Sequence, residues 1–153
     1  MPKWHPGTIL LTWFYSGFSS VAPGTCGSLA AIPFAWVILN LFGYYTFLIV
    51  LCFLFMLGVW FSHWALQKLE EKDPQFIVLD EVVGQGVVLA VAPITPVSYL
   101  LAFMLFRLFD IYKPWPIYLI DKKMRGALGI MLDDVVAGLY GAITLLIILN
   151  LME

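Results

Sequence analysis

Five carboxylates, Asp80, Glu81, Asp110, Asp133 and Asp134, stand where apolar stretches of the chain begin or end. Ionisable groups at a membrane boundary are costly and tend to mark a function. A set of oxygen donors suits a hard cation such as Mg²⁺ rather than zinc or copper. The plain alternative is helix N-capping with solvation at the interface. Softer chemistry has little material: His5 and His63 are the only imidazoles, Cys26 and Cys52 make no CxxC pair, and no zinc spacing occurs. Both thiols are expected to be free and reduced.

Two further strings could meet an anion. Arg107, Asp110 and Lys113 are spaced by three, so on a helix they share a face, and Pro114 disfavours helix at Lys113 and turns the chain. Arg107 and Lys113 could then hold an anion while Asp110 meets a metal, or the same spacing could be a salt bridge closing a helix. Pro23-Gly24-Thr25-Cys26-Gly27-Ser28 offers glycines, hydroxyls and free N–H groups just before an expected helix. That arrangement can cradle phosphate oxygens, or it can be a turn with Ser28 as N-cap. No Lys follows the second glycine, so it is not a nucleotide P-loop. The Cys-x5-Arg phosphatase loop and the DxDx[TV] nucleophile motif are missing, and neither histidine has the setting of a histidine phosphatase. What remains is metal-assisted attack by water with a carboxylate as general base, or a transient aspartyl-phosphate.

These groups need a membrane scaffold to hold them. The 153 residues are 62% hydrophobic and 12% charged, and no Lys, Arg, Asp or Glu lies between Lys3 and Lys68. The mean hydropathy is +0.94, which no ordinary water-soluble domain of this size tolerates. The net charge of −2, without a basic arm, excludes a nucleic-acid footprint. Ser28 to Leu41 reads as a helix, Gly43 as a turn and Tyr44 to Leu66 as a full span ending at the charged stretch 68–73. The result is a helical hairpin that sets the loop after Pro23 beside the loop 67–81. Thr8 to Ala22 has the outline of a signal peptide, but Pro23 would follow the cut, so the segment is expected to stay.

Val82 to Phe106 is interrupted at its centre by Pro93 and Pro96, and each half is too short to cross a hydrocarbon core of about 30 Å. It is either one kinked span or a re-entrant pair of half-helices walled in by protein. Asp80-Glu81-Val82-Val83-Gly84 echoes Asp133-Asp134-Val135-Val136-Ala137. Two equivalent helix starts at one face favour the re-entrant form. Small residues at four-residue spacing, Gly86 and Ala90, Ala137 and Gly141, Gly138 and Ala142, allow close helix contact. Val135 to Leu151 is the final span. The segment 107–134 carries five of the eight Lys and Arg residues and is expected to be a cytoplasmic loop. The expectation is one all-α domain over 1–153: a polytopic bundle with a hairpin, a Pro-broken segment and a C-terminal span.

Four blocks, Ala22 to Leu29, Ile77 to Gly84, Phe106 to Ile117 and Gly129 to Gly138, together resemble the phosphatidylglycerophosphatase A family, bacterial Mg²⁺-dependent lipid phosphatases, over nearly the whole chain. The resemblance implies hydrolysis of phosphatidylglycerophosphate to phosphatidylglycerol and inorganic phosphate in the inner membrane, with the active site facing the cytoplasm. By position it makes Asp80, Glu81, Asp110, Asp133 and Asp134 the metal and acid–base groups, and Thr25, Ser28, Arg107, Lys113 and Arg125 the phosphate contacts. The chain departs from the family pattern at Ser20, where a proline is common, at Lys122 in place of arginine, and at Ala127 in place of a second glycine. The rivals are a small ion or proton transporter using the same carboxylates, and a non-catalytic assembly subunit. A transporter would need a relay at the midplane, which the apolar runs do not supply.

Overall fold

The computed structural model describes residues 3–69 and 74–152. Among these the chain forms seven α-helices and no strand: α1 (Pro6–Leu11), α2 (Pro23–Phe42), α3 (Tyr44–Leu66), α4 (Leu79–Leu89), α5 (Pro96–Tyr112), α6 (Ile117–Lys123) and α7 (Ala127–Met152). Of the expected charged stretch 68–73, residues 70–73 lie outside the described residues.

Three helices are long and apolar enough to cross a bilayer: α2 with 20 residues, α3 with 23 and α7 with 26. At 1.5 Å per residue, 20 residues cover about 30 Å. α2 and α3 form the expected hairpin around Gly43. Their outward faces, including Ile49, Phe53 and Trp60 on α3, are exposed, as are Ile143 and Ile147 on α7. Lipid covers such side chains.

Helix starts differ from the expectation in two places. α2 opens at Pro23, five residues before Ser28, so the glycine-rich string is the first turns of the helix rather than a loop ahead of it. Proline at the first helical position has no N–H to lose there, and its fixed φ suits a helix start. α7 opens at Ala127, eight residues before Val135, which makes Asp133 and Asp134 the seventh and eighth residues of a longer helix. The echo between the two acidic pairs therefore holds in sequence but not in helix register. The segment 107–134 is likewise not a loop, since it holds the end of α5, all of α6 and the start of α7.

The Pro-broken segment is re-entrant. α4 has 11 residues and α5 has 17, with the break between Leu89 and Pro96. Thr95 caps α5 by accepting a hydrogen bond from the Ser98 N–H at 3.2 Å. A Cβ on Gly84, near the start of α4, would lie 2.5 Å both from Phe106, near the end of α5, and from the Asp134 carbonyl oxygen on α7. The start of α4 and the end of α5 thus lie side by side, so the segment leaves and returns to one face. Small residues decide how close this packing is. A Cβ on Gly138 would overlap the Gly84 carbonyl oxygen, and this contact locks α4 against α7. Of the other small pairs, Gly86 faces Leu51 of α3 instead. Phe47, Val88, Leu89, Ala102, Phe106 and Leu145 fill the core around the re-entrant pair.

Candidate active site

Each element brings its charge to the same end of the bundle. The N-terminal segment ties down the start of α4, because the Val78 N–H donates to the Leu11 carbonyl at 2.8 Å. Asp80 and Glu81 follow in the first turn of α4, where unpaired N–H groups and the helix dipole favour negative charge. The Glu81 N–H donates to Asp80 Oδ1 at 3.0 Å. The glycine contact between α4 and α7 then sets Asp134 beside this turn. Single carboxylate oxygens of Asp80, Glu81 and Asp134 lie within 4.8 Å of one another.

Asp80, Asp133 and Asp134 are 8%, 6% and 5% exposed, so three like charges share a largely dry place. Burial first, and then the charge of Glu81, push the Asp80 carboxyl well above the usual carboxylate range. Glu81 Oε2 and Asp133 Oδ1 are buried and have no hydrogen-bond partner among the described residues. Such atoms are expensive to leave unmatched.

Two cations stand around the group. Arg107 pairs with Asp110 three residues later on α5. Lys113 ends that helix in a left-handed conformation, with φ 42°, and Pro114 follows. The Lys113 ammonium is bonded by residues of other helices: Nζ donates to Asp133 Oδ2 at 2.7 Å and to Asp121 Oδ1 at 2.8 Å. Burial lowers the Lys113 pKa, but the hydrogen bonds and charges of Asp121 and Asp133 more than offset this and hold it above the ordinary lysine range. Of the two alternatives open for the Arg107-Asp110-Lys113 string, the structure shows the helix-end salt bridge for the first pair and sends Lys113 to α6 and α7.

A cavity of about 890 Å³ opens over the group. Its wall includes Asp80, Glu81, Asp110, Asp133 and Asp134 together with Arg107, Lys113 and Arg125, so eight of the ten residues singled out in the sequence meet there. Thr25 and Ser28 do not line it. Ser28 is fully buried, and its hydroxyl donates to the Gly24 carbonyl at 2.9 Å instead of capping a helix. From the glycine-rich string, Pro23 and Gly24 reach the wall. A Cβ on Gly24 would overlap Glu81 Oε1, so this glycine makes room for a carboxylate.

Sequence reasoning missed two lining charges, Asp121 and Lys122. In a charged stretch, Asp121 is indistinguishable from a solvated carboxylate until α6 folds back beside Lys113. The remaining wall is partly apolar, with Leu66, Leu69, Ile77, Met124 and Ile130.

The family profile described as phosphatidylglycerophosphatase A matches residues 9–149. The chain belongs to this family. It is 37% identical over 140 residues to phosphatidylglycerophosphatase A of Escherichia coli K12, covering 91% of this chain and 79% of the relative. It is 41% identical over 140 residues to the Haemophilus influenzae protein of the same name, covering 91% and 86%. A Bacteroides thetaiotaomicron protein provisionally named a phosphatidylinositol-3-phosphatase is 38% identical over 149 residues, covering 93% and 92%. No solved structure matches the chain. The four blocks behind the family resemblance, far apart in sequence, all contribute residues to the one cavity.

Proposed function

We propose that this membrane protein hydrolyses the terminal phosphomonoester of phosphatidylglycerophosphate, releasing phosphatidylglycerol and inorganic phosphate during phospholipid synthesis. The observation that carries the proposal is the convergence of Asp80, Glu81 and Asp134 within 4.8 Å beside Arg107 and Lys113, in a chain of this family. The names of the relatives all describe lipid phosphatases.

The donor set fits Mg²⁺. The three residues supply only carboxylate oxygens, Glu81 Oε2 lacks a partner, and Asp80, whose pKa is raised first by burial and then by Glu81, sits among carboxylates whose charge a divalent cation would offset. Bound by Asp80, Glu81 and Asp134, the ion would neutralise phosphate charge and acidify an attacking water. Asp110 and Asp133 complete the five carboxylates and each holds a cation in turn.

The chain's own residues then have separable tasks. Arg107 and Lys113 draw the phosphomonoester toward the carboxylates and offset the charge that grows on its oxygens as the P–O bond to glycerol breaks. The water oxygen bonds to phosphorus, a carboxylate of the group takes one of the water's protons and returns it to the glycerol oxygen, and that oxygen leaves as phosphatidylglycerol when the P–O bond breaks. The apolar wall at Leu66, Leu69 and Ile130 lets the headgroup enter while the acyl chains remain in lipid. The five basic residues between 107 and 125 support a mouth on the cytoplasmic side of a bacterial inner membrane.

Ion transport has no comparable support, since no charged residue occurs from Val135 to Leu151 to relay an ion past Asp134. The test is phosphate release from phosphatidylglycerophosphate by the purified protein, with Mg²⁺ and with EDTA. Release that depends on added Mg²⁺ is expected. No release under any divalent cation would reject the enzyme, and equal release in EDTA would reject the metal.

A further inference from the structure

Phosphatidylglycerophosphate carries two phosphates of different kind: the monoester that is cleaved and the diester that joins the headgroup to diacylglycerol. At neutral pH they amount to about three negative charges. Among the described residues four cationic side chains line the cavity, and they are not alike. Arg107 is paired with Asp110, and Lys113 is held between Asp121 and Asp133. Both stand against the buried carboxylates at the floor. Lys122 and Arg125 belong to the exposed rim. Lys122 lies against the Tyr118 ring, 4.3 Å from its centre, and Arg125 has no ion-pair partner among the described residues.

The backbone that carries Arg125 is packed against α7. The turn that carries it is pressed onto the first turn of α7, where a Cβ on Gly129 would overlap the Met124 carbonyl. The preceding helix α6 is anchored by Ile117, which is fully buried. From Ala127 to Asp134 the helix α7 rises about 10 Å, so the turn that carries Arg125 is set apart along this helix from Asp134. Met124 and Ile130 flank Arg125 on the same wall and are suited to the first carbons of the diacylglycerol.

Resting on the phosphatase activity proposed above, we propose that Arg125, assisted by Lys122, binds the phosphodiester of the lipid, while Arg107 and Lys113 serve the phosphomonoester at the floor. Arg125 is then a specificity residue that reads the lipid linkage, and the two phosphates are recognised at separate places.

The two products divide the two phosphates between them, which makes the division measurable. Phosphatidylglycerol keeps the diester alone, and inorganic phosphate stands for the monoester. Wild-type protein and the Arg125→Ala, Arg125→Gln, Arg125→Lys and Lys122→Ala variants are assayed on phosphatidylglycerophosphate in mixed micelles, with each product as inhibitor and dioleoylglycerol as the control for surface dilution. For Arg125→Ala, the KM and the inhibition constant of phosphatidylglycerol are expected to rise about fivefold, as for loss of one exposed charge-assisted contact. The inhibition constant of inorganic phosphate should stay within about a factor of two, which corresponds to well under 1 kcal/mol. Arg125→Lys should recover most of the loss, and Lys122→Ala should show a smaller shift of the same pattern. If Arg125→Ala does not fold, Arg125→Gln carries the same measurements.

Wild-type protein that phosphatidylglycerol inhibits no better than dioleoylglycerol overturns the proposal. So does an Arg125 variant that moves both inhibition constants together, or neither. Absence of any phosphate release by the wild type is a separate result, which removes the phosphatase activity itself.

Discussion

Helices α3 and α4 are built on opposite terms. α3 has 23 residues and mean hydropathy of 2.2 in its central stretch, yet only 28% of that stretch is buried in protein. α4 has 11 residues, nine of them buried, and it carries Asp80 and Glu81. The long helix largely satisfies the membrane by itself: its interior backbone groups are bonded within it and most of its side chains face lipid. The short one cannot cross, so other helices must enclose it. That enclosure is also what lets a membrane protein hold carboxylates in place, because the surrounding chain rather than lipid meets them.

The sharpest way to break the contrast is to remove charge from the enclosed element. Asp80→Asn and Asp134→Asn are each expected to lower turnover at least about a thousandfold, with the folded protein recovered in wild-type yield. Wild-type turnover in either purified variant would mean that the enclosed carboxylates do no chemistry. Chelation probes the same group without mutation: EDTA should bring phosphate release to background and Mg²⁺ should restore it. Next in size is the contact that holds α4 in place. Gly138→Val drives a side chain into the Gly84 carbonyl and should destabilise by about 3 kcal/mol, seen as a fall of at least about 5 °C in the melting temperature in detergent. An unchanged melting temperature would show that α4 and α7 are not locked there.

Smaller effects sharpen the picture at its edges. Asp121→Asn removes one of two carboxylates on Lys113, where the pair is partly exposed, and should change kcat by about threefold while leaving the melting temperature near wild type. At the other extreme, Ile49→Ala on the lipid face of α3, where Ile49 is 69% exposed, should alter stability by less than about 0.5 kcal/mol and activity not measurably. A large loss from Ile49→Ala would place a protein partner on that face.

The hairpin, the Pro-broken pair and the last span were legible because hydropathy and proline act locally. The five carboxylates were legible because charge is conspicuous in an apolar chain. Helix starts were less so. Apolarity suggested Val135 as the start of the last helix, but Ala127 to Leu132 also fold as helix ahead of the acidic pair. The Pro23 string has the residues of an anion-binding loop, yet Pro23 begins a helix, and Ser28 turns its hydroxyl back to Gly24. Lys113 was singled out on spacing and does line the cavity, but its partners, Asp121 and Asp133, come from two other helices.

By itself the sequence determined a membrane chain with an apolar hairpin, a last span, a Pro-broken segment that is either kinked or re-entrant, and a small set of oxygen donors with little thiol or imidazole chemistry beside them. Those properties follow from composition and local geometry, which each stretch of chain expresses alone. Only the tertiary structure decided which charges meet. The approach of α4 to α7 depends on Gly84 and Gly138 lacking side chains at one contact, and the grouping of Asp80, Glu81 and Asp134 depends on that approach. A contact between residues some fifty positions apart is a property of packing, and no periodicity along the chain encodes it.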